Sequence, residues 1–405
     1  MEYKKPSLFY YRLTQFLSFF AAKIIFKRKY LRNELKGKKG PFVVIANHQA
    51  ALDFVNLIGA TKERMNFVIS NSFYNSLPVK SIMNKVGVIP KQQFQTTLKD
   101  LGRMKCVVEN GAPLAIYPAG LMTEDGLSTP IPSATHKFLK WLGADIYVAR
   151  TQGTYFCTPK WASKRRRGRT HLDIYKLLDK EELIAMDDEL LKNRIEDALL
   201  FDAYAEQEAL MIKYKNGDNA EGLENVLYKC PVCHEEFSMK VKDKSTIYCE
   251  KCGFSEALDK YGFLHKTSEI GSEIRHASDW SRAIYNGVKK DIEENPDYSL
   301  SSRVKIQGID EEKRKFKDIG EGVITLADGH IKINANISGE ETELSIPTAS
   351  FASLPFKPGK YLEIQHGEEI FRCYTENGKL VMKFINMVKA IYELNVHKHE
   401  QHQFH

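Results

Sequence analysis

Residues 42–53 read Phe-Val-Val-Ile-Ala-Asn-His-Gln-Ala-Ala-Leu-Asp, and this stretch indicates the class of fold. Its first five residues are apolar and rich in β-branched side chains, and they follow Gly40-Pro41, which is typical of a short buried strand. Polar residues begin at Asn47, where the strand would stop. We therefore expect a buried central strand with chemically active side chains just beyond its C-terminal end.

Further apolar runs have the length and composition of strands, and helical patterns separate several of them. The strand-like runs span residues 66–69, 86–89, 113–117 and 145–149, and the helical patterns span 97–109 and 133–142. This alternation predicts an α/β fold with a central, mostly parallel sheet flanked by helices. Ligands bind such sheets at strand ends, which is where His48 lies.

His48 and Asp53 are five residues apart and are the candidate catalytic pair. On one regular helix this separation is about 140° of rotation, so the two side chains would not share a face. If His48 lies in a turn and Asp53 in the first helical turn, the carboxylate can accept the Nδ1 proton and leave Nε2 free as a base. The alternative is a structural pair. Since the sequence contains no Gly-x-Ser-x-Gly elbow, direct transfer to a hydroxyl is favoured over a covalent intermediate.

The order of motifs resembles a known family. A strand, Asn-His-x4-Asp, Gly-Val-Ile-Pro at 87–90 and Tyr-Pro-x-Gly at 117–120 look like the glycerolipid acyltransferases typified by lysophosphatidic acid acyltransferase, over roughly residues 40–210. The resemblance implies that His48 deprotonates the acceptor hydroxyl and that Asp53 orients it. It also implies acyl-CoA or acyl carrier protein as donor, a lysophospholipid acceptor, most simply 1-acylglycerol 3-phosphate, and no catalytic cofactor.

The blocks that would bind the acceptor depart from the family pattern. Lys91 stands where the family usually places an Arg that holds the acceptor phosphate, so the charge is kept but the bidentate fork is lost. In the segment 117–123, Ala119 stands where the family has Glu, and Met122 stands where the family has Arg. The substrate-binding residues that we predict are Asn47, Lys91, Pro118 and Gly120. A non-catalytic lipid-binding adaptor on a degenerate acyltransferase scaffold is the alternative.

The excess of positive charge lies at the N-terminus. The chain has 405 residues with 59 basic and 52 acidic side chains, and residues 1–40 alone hold eleven Lys or Arg against two acids, beside nine aromatics. Residues 13–22 form an uncharged run too short to span a bilayer, and no small-x-small cleavage site follows. We expect residues 1–35 to form an interfacial helix on anionic lipid, peripheral on the inner, cytoplasmic face of the membrane. The alternative is a helix packed on its own domain.

Another basic run, residues 164–169, reads most simply as a solvated loop. It could instead meet lipid headgroups, a coenzyme A phosphate or the acidic face of a carrier protein.

Four of the seven cysteines form two Cys-x2-Cys pairs. They are Cys230, Cys233, Cys249 and Cys252, with fifteen residues between the pairs. This spacing is typical of a zinc ribbon, and four thiolates leave no open coordination position, so the zinc would be structural. Two disulfides are the alternative, disfavoured because no export signal is evident. Nucleic acid is an improbable partner because acidic residues offset the lysines around the ribbon.

The last third of the chain changes to short alternating strands followed by an amphipathic helix over 379–394, with a hairpin signal at Ala327-Asp328-Gly329. This pattern resembles the pleckstrin-homology-like superfold, a small β-barrel plus a helix, and this domain or the ribbon could bind a protein partner. The predicted divisions are an interfacial helix at 1–35, an acyltransferase-like domain at 36–215, a zinc ribbon at 225–262, a linker at 263–300, a β-rich domain at 301–395 and an unstructured His-rich tail at 396–405.

Overall fold

The chain folds into two compact units. The first comprises Met1–Lys160 and Lys164–Gly217, and the second comprises Trp161–Ser163 and Asp218–His405. The computed structural model describes residues 3–76, 80–93, 97–295, 297–310, 315–348, 351–367 and 369–402, without the side chains of Ser76 and of residues 396–402.

The first unit contains one sheet with helices around it. Its strands are β1 (Arg28–Asn33), β2 (Phe42–Ala46), β3 (Asn66–Ser70), β4 (Val88–Lys91), β5 (Leu114–Ile116), β6 (Asp145–Gln152) and β7 (Thr170–Leu178). Its helices are α1 (Leu8–Ile24), α2 (Asp53–Leu57), α3 (Asn71–Ser76), α4 (Lys80–Lys85), α5 (Leu98–Glu109), α6 (Thr135–Leu142), α7 (Thr154–Cys157), α8 (Lys180–Ala185), α9 (Asp188–Leu199) and α10 (Ala203–Leu210). The strand order is β1-β7-β6-β2-β5-β3-β4.

Strand β2 lies inside this sheet, and its apolar run has a simple explanation. Alternate side chains of a strand point to opposite faces. Val43 and Ile45 belong to one buried cluster, while Phe42, Val44 and Ala46 belong to a second cluster on the other face. A strand covered on both faces must be apolar throughout, which is why β2 reads as a continuous hydrophobic run.

The predicted α/β class is confirmed, and the sheet is mixed. The described pairs are parallel except that of β6 with β7, which is antiparallel. Sequence reasoning missed β1 and β7. Strand β1 is a charged, half-exposed edge strand, so it shows no apolar run. Its Arg32 makes a bidentate ion pair with Asp173 of β7, both bonds 2.9 Å long.

The N-terminal segment belongs to the first unit, and residues 1–35, predicted as an interfacial helix, contain both α1 and the edge strand β1. Helix α1 packs against α2 and α4. Tyr11 is fully buried, and its hydroxyl accepts the Met65 N–H at 3.0 Å. The amide of Gln15 donates to the carbonyls of Ile58 and Thr61. In the part of the chain that the structure describes, no helix has the length and apolarity needed to span a bilayer.

The second unit contains two antiparallel sheets. The smaller has the order β11-β10-β9-β8, formed by β8 (Met239–Lys242), β9 (Thr246–Cys249), β10 (Ser255–Leu258) and β11 (Leu264–Lys266). The larger has the order β15-β14-β13-β12-β18-β17-β16, formed by β12 (Leu300–Asp310), β13 (Lys315–Ala327), β14 (His330–Ile337), β15 (Glu340–Pro347), β16 (Phe356–Lys357), β17 (Tyr361–His366) and β18 (Glu369–Thr375). The helices are α11 (Ala277–Glu294) and α12 (Leu380–His402), and Leu223–Asn225 form one 3-10 turn.

The predicted linker at 263–300 is mostly regular structure. It contains β11 and the 18-residue helix α11. Trp280, Ile284 and Val288 form the buried face of α11, and the indole N–H of Trp280 donates to the Lys229 carbonyl at 2.8 Å. Charged residues between these positions hide the apolar spacing, and tertiary contacts supply the partner for the buried face.

The strand and helix pattern predicted for the last third agrees with the larger sheet and α12. The hairpin between β13 and β14 has positive φ at Asp328 (53°) and Gly329 (67°), as a type I′ turn requires. Helix α12 continues to His402, so residues 396–402 of the predicted unstructured tail have helical backbone, and residues 403–405 lie outside the described part.

Candidate active site and metal centre

His48 and Asp53 meet at the C-terminal end of β2. His48 lies in the turn after the strand, and Asp53 is the first residue of α2. The distance from His48 Nδ1 to Asp53 Oδ2 is 3.0 Å, a hydrogen bond. The Asp53 side chain is fully buried, whereas that of His48 is 21% exposed. The turn-then-helix arrangement is the one that the five-residue spacing requires.

Hydrogen bonds from the backbone to Asp53 indicate which nitrogen of His48 donates a proton to the carboxylate. Asp53 Oδ2 also accepts the backbone N–H groups of Gln49 and Ala50, both at 2.8 Å. An oxygen that accepts two N–H bonds is a carboxylate acceptor, so Nδ1 of His48 is the donor in the third bond. In the neutral imidazole, Nε2 is then the nitrogen without a proton, the one that can act as a general base.

The turn at 117–123 closes against His48. The Tyr117 ring lies 4.6 Å from the His48 ring between centroids, and the Thr123 N–H donates to the His48 carbonyl at 3.2 Å. Burial, and then the negative charge of Asp53, raise the pKa of Tyr117 well above its usual value, so the phenol stays neutral. Sequence reasoning placed this turn at the site but did not single out Tyr117.

Two of the predicted substrate-binding residues shape that turn. Pro118 lies inside it, and the Gly120 N–H donates to the Tyr117 carbonyl at 2.9 Å. Gly120 has a φ of +68°, which favours glycine. The amide of Gln93 donates to the Gly120 carbonyl at 2.6 Å, so the segment after β4 contacts the turn.

Asn47, another residue predicted to bind substrate, makes its side-chain hydrogen bonds within the fold. It is 3% exposed, and its amide is used by Thr151 of β6. Asn47 Nδ2 donates to the Thr151 carbonyl at 2.9 Å, and Oδ1 accepts the Thr151 N–H at 2.8 Å. Asn47 therefore holds the end of β2 against β6, a contact that motif order alone does not reveal.

Lys91 ends β4 and is partly buried. Its ammonium donates to the Gln92 carbonyl at 3.1 Å. Burial lowers the pKa of Lys91, and the nearby carboxylate of Asp100 opposes this effect.

The basic run after residue 163 is only partly solvated. Arg166 is 2% exposed, whereas Arg165, Arg167 and Arg169 are exposed. Arg167 Nε donates to the Ile24 carbonyl at the end of α1, at 3.2 Å. Arg169, like Lys29, contributes to a lowered pKa of His171, although burial is the larger cause. Arg167 therefore lies at the C-terminal end of α1, and Arg169 and Lys29 both lie near His171.

The four predicted ligand cysteines converge in the second unit. Their sulfur atoms all lie within 4.8 Å of one another. The Cys230–Cys252 and Cys233–Cys249 sulfur distances are both 3.7 Å. A disulfide needs about 2.0 Å, whereas ligands about 2.3 Å from a tetrahedral zinc lie about 3.8 Å apart. The cluster could therefore hold a metal ion.

The thiols of the cluster differ in pKa. Burial raises the pKa of Cys230 and of Cys252, whereas Cys249 favours the thiolate form that a metal requires. Burial alone would raise the pKa of Cys249. The Ser238 hydroxyl and the backbone N–H groups of Cys252 and Lys251 outweigh burial and lower the pKa to about 6.

Residues 25–174 match the family model described as Acyltransferase. The first unit thus contains an acyltransferase-family domain, and the family predicted from the sequence is confirmed. Among solved structures, the chain is similar to the 1-acyl-sn-glycerophosphate (LPA) acyltransferase PlsC from Thermotoga maritima, with 17% identity over 49% of this chain and 79% of that one and a TM-score of 0.42.

Two smaller solved domains also match part of the chain. They are the Ran binding domain of Nup2 from Ashbya gossypii (14% identity, 25% of this chain, 97% of that one) and the Dm DCP1 EVH1 domain in complex with the XRN1 DBM peptide (16%, 32% and 97%). Both have a TM-score of 0.19.

Proposed function

We propose that this chain transfers a fatty acyl group from a thioester donor, acyl-CoA or acyl carrier protein, to the hydroxyl of a lysophospholipid in phospholipid biosynthesis. The acceptor we favour is 1-acylglycerol 3-phosphate. The observation that carries the proposal is the 3.0 Å hydrogen bond between His48 Nδ1 and Asp53 Oδ2 within an acyltransferase-family domain.

The geometry supports a direct transfer. Nε2 of His48 takes the proton of the acceptor hydroxyl while that oxygen attacks the thioester carbonyl carbon. The C–S bond then breaks, the new ester C–O bond remains, and the proton on Nε2 passes to the departing thiolate. Asp53 stabilises the imidazolium that forms between these two steps and holds its ring orientation.

Purified full-length chain should release free thiol from acyl-CoA only when a lysolipid is present. The sharpest version of the experiment compares phosphorylated and unphosphorylated monoacyl acceptors, each with acyl-CoA and with acyl carrier protein as donor. Absence of thiol release with every acceptor, together with intact vesicle binding, would support the non-catalytic adaptor instead.

The charge on Lys91 makes the phosphorylated acceptor testable through the pH dependence of its KM. Burial lowers its pKa below the usual lysine value of 10.5, so on raising the pH it loses its charge earlier than a free lysine does. A neutral amine does not attract phosphate. We expect the KM for 1-acylglycerol 3-phosphate to rise with pH on the alkaline side, whereas the KM for an uncharged monoacylglycerol stays flat.

Lys91→Arg is the matched control, because the guanidinium stays protonated over this range. It should remove the alkaline rise in KM and keep the phosphorylated acceptor bound. An identical pH dependence in Lys91→Arg would assign the effect to another group.

We also propose that α1 docks on an anionic membrane surface at the inner, cytoplasmic face. The side of α1 opposite Tyr11 exposes large apolar side chains, namely Leu8, Phe9, Leu13, Phe16, Leu17, Phe19, Phe20 and Ile24. Exposed basic residues surround its C-terminal end, namely Lys23, Lys27, Lys29, Arg165, Arg167 and Arg169. An apolar helix face next to a positive surface suits the boundary between acyl chains and anionic headgroups.

The double substitution Phe16→Ser and Leu17→Ser should weaken binding to phosphatidylglycerol-containing vesicles at least tenfold. Burying one such side chain contributes about 1.5–3 kcal/mol. Losing even the partial insertion of two such side chains is therefore sufficient for a tenfold weakening of vesicle binding. Co-sedimentation measures the effect. Point changes are needed because deletion of α1 would also remove the buried Tyr11.

Tyr11→Phe is the control, since it changes the buried face of α1 and should leave vesicle binding as it is. Equal binding by the double variant and the unmodified chain would rule out this face of α1 as the lipid contact.

The cysteine cluster we assign to structural zinc. Four thiolate ligands complete a tetrahedral sphere and leave no position for substrate, so no step of the acyl transfer involves the metal.

A further inference from the structure

The turn that carries His48 is held in place by the side chains on either side of it. Asn47 bonds to Thr151, as described above. Gln49 is fully buried, and its Oε1 accepts the Thr154 hydroxyl and the Tyr155 N–H, both at 3.3 Å. His48 lies between these two buried residues, and its side chain is the one that is partly exposed to solvent.

A carboxylate from a distant part of the chain completes the environment of Gln49. Glu206 of α10 accepts a hydrogen bond from Gln49 Nε2 at 3.2 Å through Oε2. Its other oxygen pairs with Arg150 at 3.1 Å, and its side chain is only 10% exposed. Glu206 lies beyond residues 25–174, the segment matched by the acyltransferase model.

This contact continues to the catalytic pair. The backbone N–H of Gln49 donates to Asp53 Oδ2, the same atom that accepts the His48 Nδ1 proton. The position of the Gln49 backbone therefore determines one of the three hydrogen bonds that hold the Asp53 carboxylate. Glu206, through the Gln49 side chain, restrains that backbone.

We propose that Glu206 is a positioning residue for the His48–Asp53 pair, an inference that rests on the proposed acyl transfer. Truncating Glu206 removes the acceptor of the amide N–H of Gln49, a fully buried group that is costly to leave unpaired. It also removes the ion-pair partner of Arg150, whose side chain is partly exposed. The turn then shifts to find new partners. A displacement of about 1 Å from the reactive geometry can cost about 100-fold in rate.

The test uses the full chain and three variants, Glu206→Ala, Glu206→Gln and Gln49→Ala. Asp188→Asn is the matched control, because Asp188 forms a 2.6 Å ion pair with Lys140 elsewhere in the same unit. Steady-state kinetics with acyl-CoA and a lysolipid give kcat and KM. The downfield proton resonance of His48 Nδ1–H, identified as the signal that His48→Ala removes, reports the His48–Asp53 hydrogen bond without any need for turnover.

We expect Glu206→Ala and Gln49→Ala to lower kcat roughly 10- to 100-fold, with KM within about twofold, and to shift the His48 resonance. Glu206→Gln keeps one acceptor oxygen for Gln49 but loses the acceptor and the charge that face Arg150, so it should recover part of kcat. Because Gln49 and Glu206 act through one contact, the double alanine variant should lose no more than the worse single variant.

Unchanged kcat and an unchanged resonance in Glu206→Ala would overturn the proposal, as would an equal loss in Asp188→Asn. If the unmodified chain shows no acyl transfer, the proposed function fails, and the resonance alone then decides whether Glu206 positions the pair.

Discussion

Replacing His48 with alanine should lower kcat for acyl transfer by about 10²- to 10⁴-fold, because the chain loses the base that deprotonates the acceptor hydroxyl. The KM values should change little, since the ring contacts the reacting hydroxyl and not the remote parts of either substrate. Thiol release from acyl-CoA in the presence of lysolipid measures the loss.

Asp53→Asn should cause a loss of similar order for a different reason. The amide can still accept the Gln49 and Ala50 N–H groups through one oxygen. It cannot stabilise the imidazolium by charge, and its NH₂ group replaces Asp53 Oδ1, a buried atom for which the described part of the structure shows no acceptor to receive the new N–H groups. Both variants should keep the thermal stability of the unmodified chain within a few degrees if the loss is chemical.

His136→Gln is the matched control for these variants. His136 also lies near a carboxylate in the first unit, with Nε2 3.8 Å from Asp188 Oδ2, but it belongs to α6 and not to the turn after β2. It should keep full activity. Thiol release by His48→Ala at the unmodified rate would refute the mechanism.

Removing the zinc that we propose for the cysteine cluster should have the second large effect, a loss of stability. Structural zinc sites in small folds carry apparent binding free energies of about 10–16 kcal/mol, and the strands that flank the cysteines are short. We expect Cys230→Ser or a strong chelator to abolish zinc binding and to unfold the segment around β8 and β9. Metal analysis of the purified chain and calorimetry measure the two effects.

The loss should extend to the rest of the second unit. The Lys379 ammonium at the start of α12 donates to the backbone carbonyls of Phe237 and Met239 beside the cluster. Lys383 pairs with Glu236 in the same region. These bonds disappear when the cysteine segment unfolds, so the melting of the larger sheet should also shift to lower temperature.

Cys106→Ser is the control, since Cys106 lies on α5 in the first unit, outside the cluster. It should keep one zinc per chain. Full metal content and unchanged melting in Cys230→Ser would show that the cluster is not a metal site.

The elements that sequence reasoning found are those with a local signature. Strand β2 shows its two-sided burial as a continuous apolar run, and the two Cys-x2-Cys pairs show their site by spacing alone. The His48–Asp53 contact was also predictable, because His48 lies in a turn and Asp53 is the first residue of the helix that follows that turn. In each case the information lies within a few residues along the chain.

What the tertiary structure decided depends on contacts between distant segments. Strand β1 is recognisable only by its pairing with β7, and α11 only by the buried partners of Trp280. The side chain of Asn47 bonds to Thr151, 104 residues away. Glu206 reaches Gln49 across 157 residues. The sequence by itself therefore determined the family, the His48–Asp53 contact and the grouping of the four cysteines, whereas only the fold decided which remote side chains bond to the turn that carries His48, because a hydrogen bond between remote segments leaves no periodicity or spacing in either one.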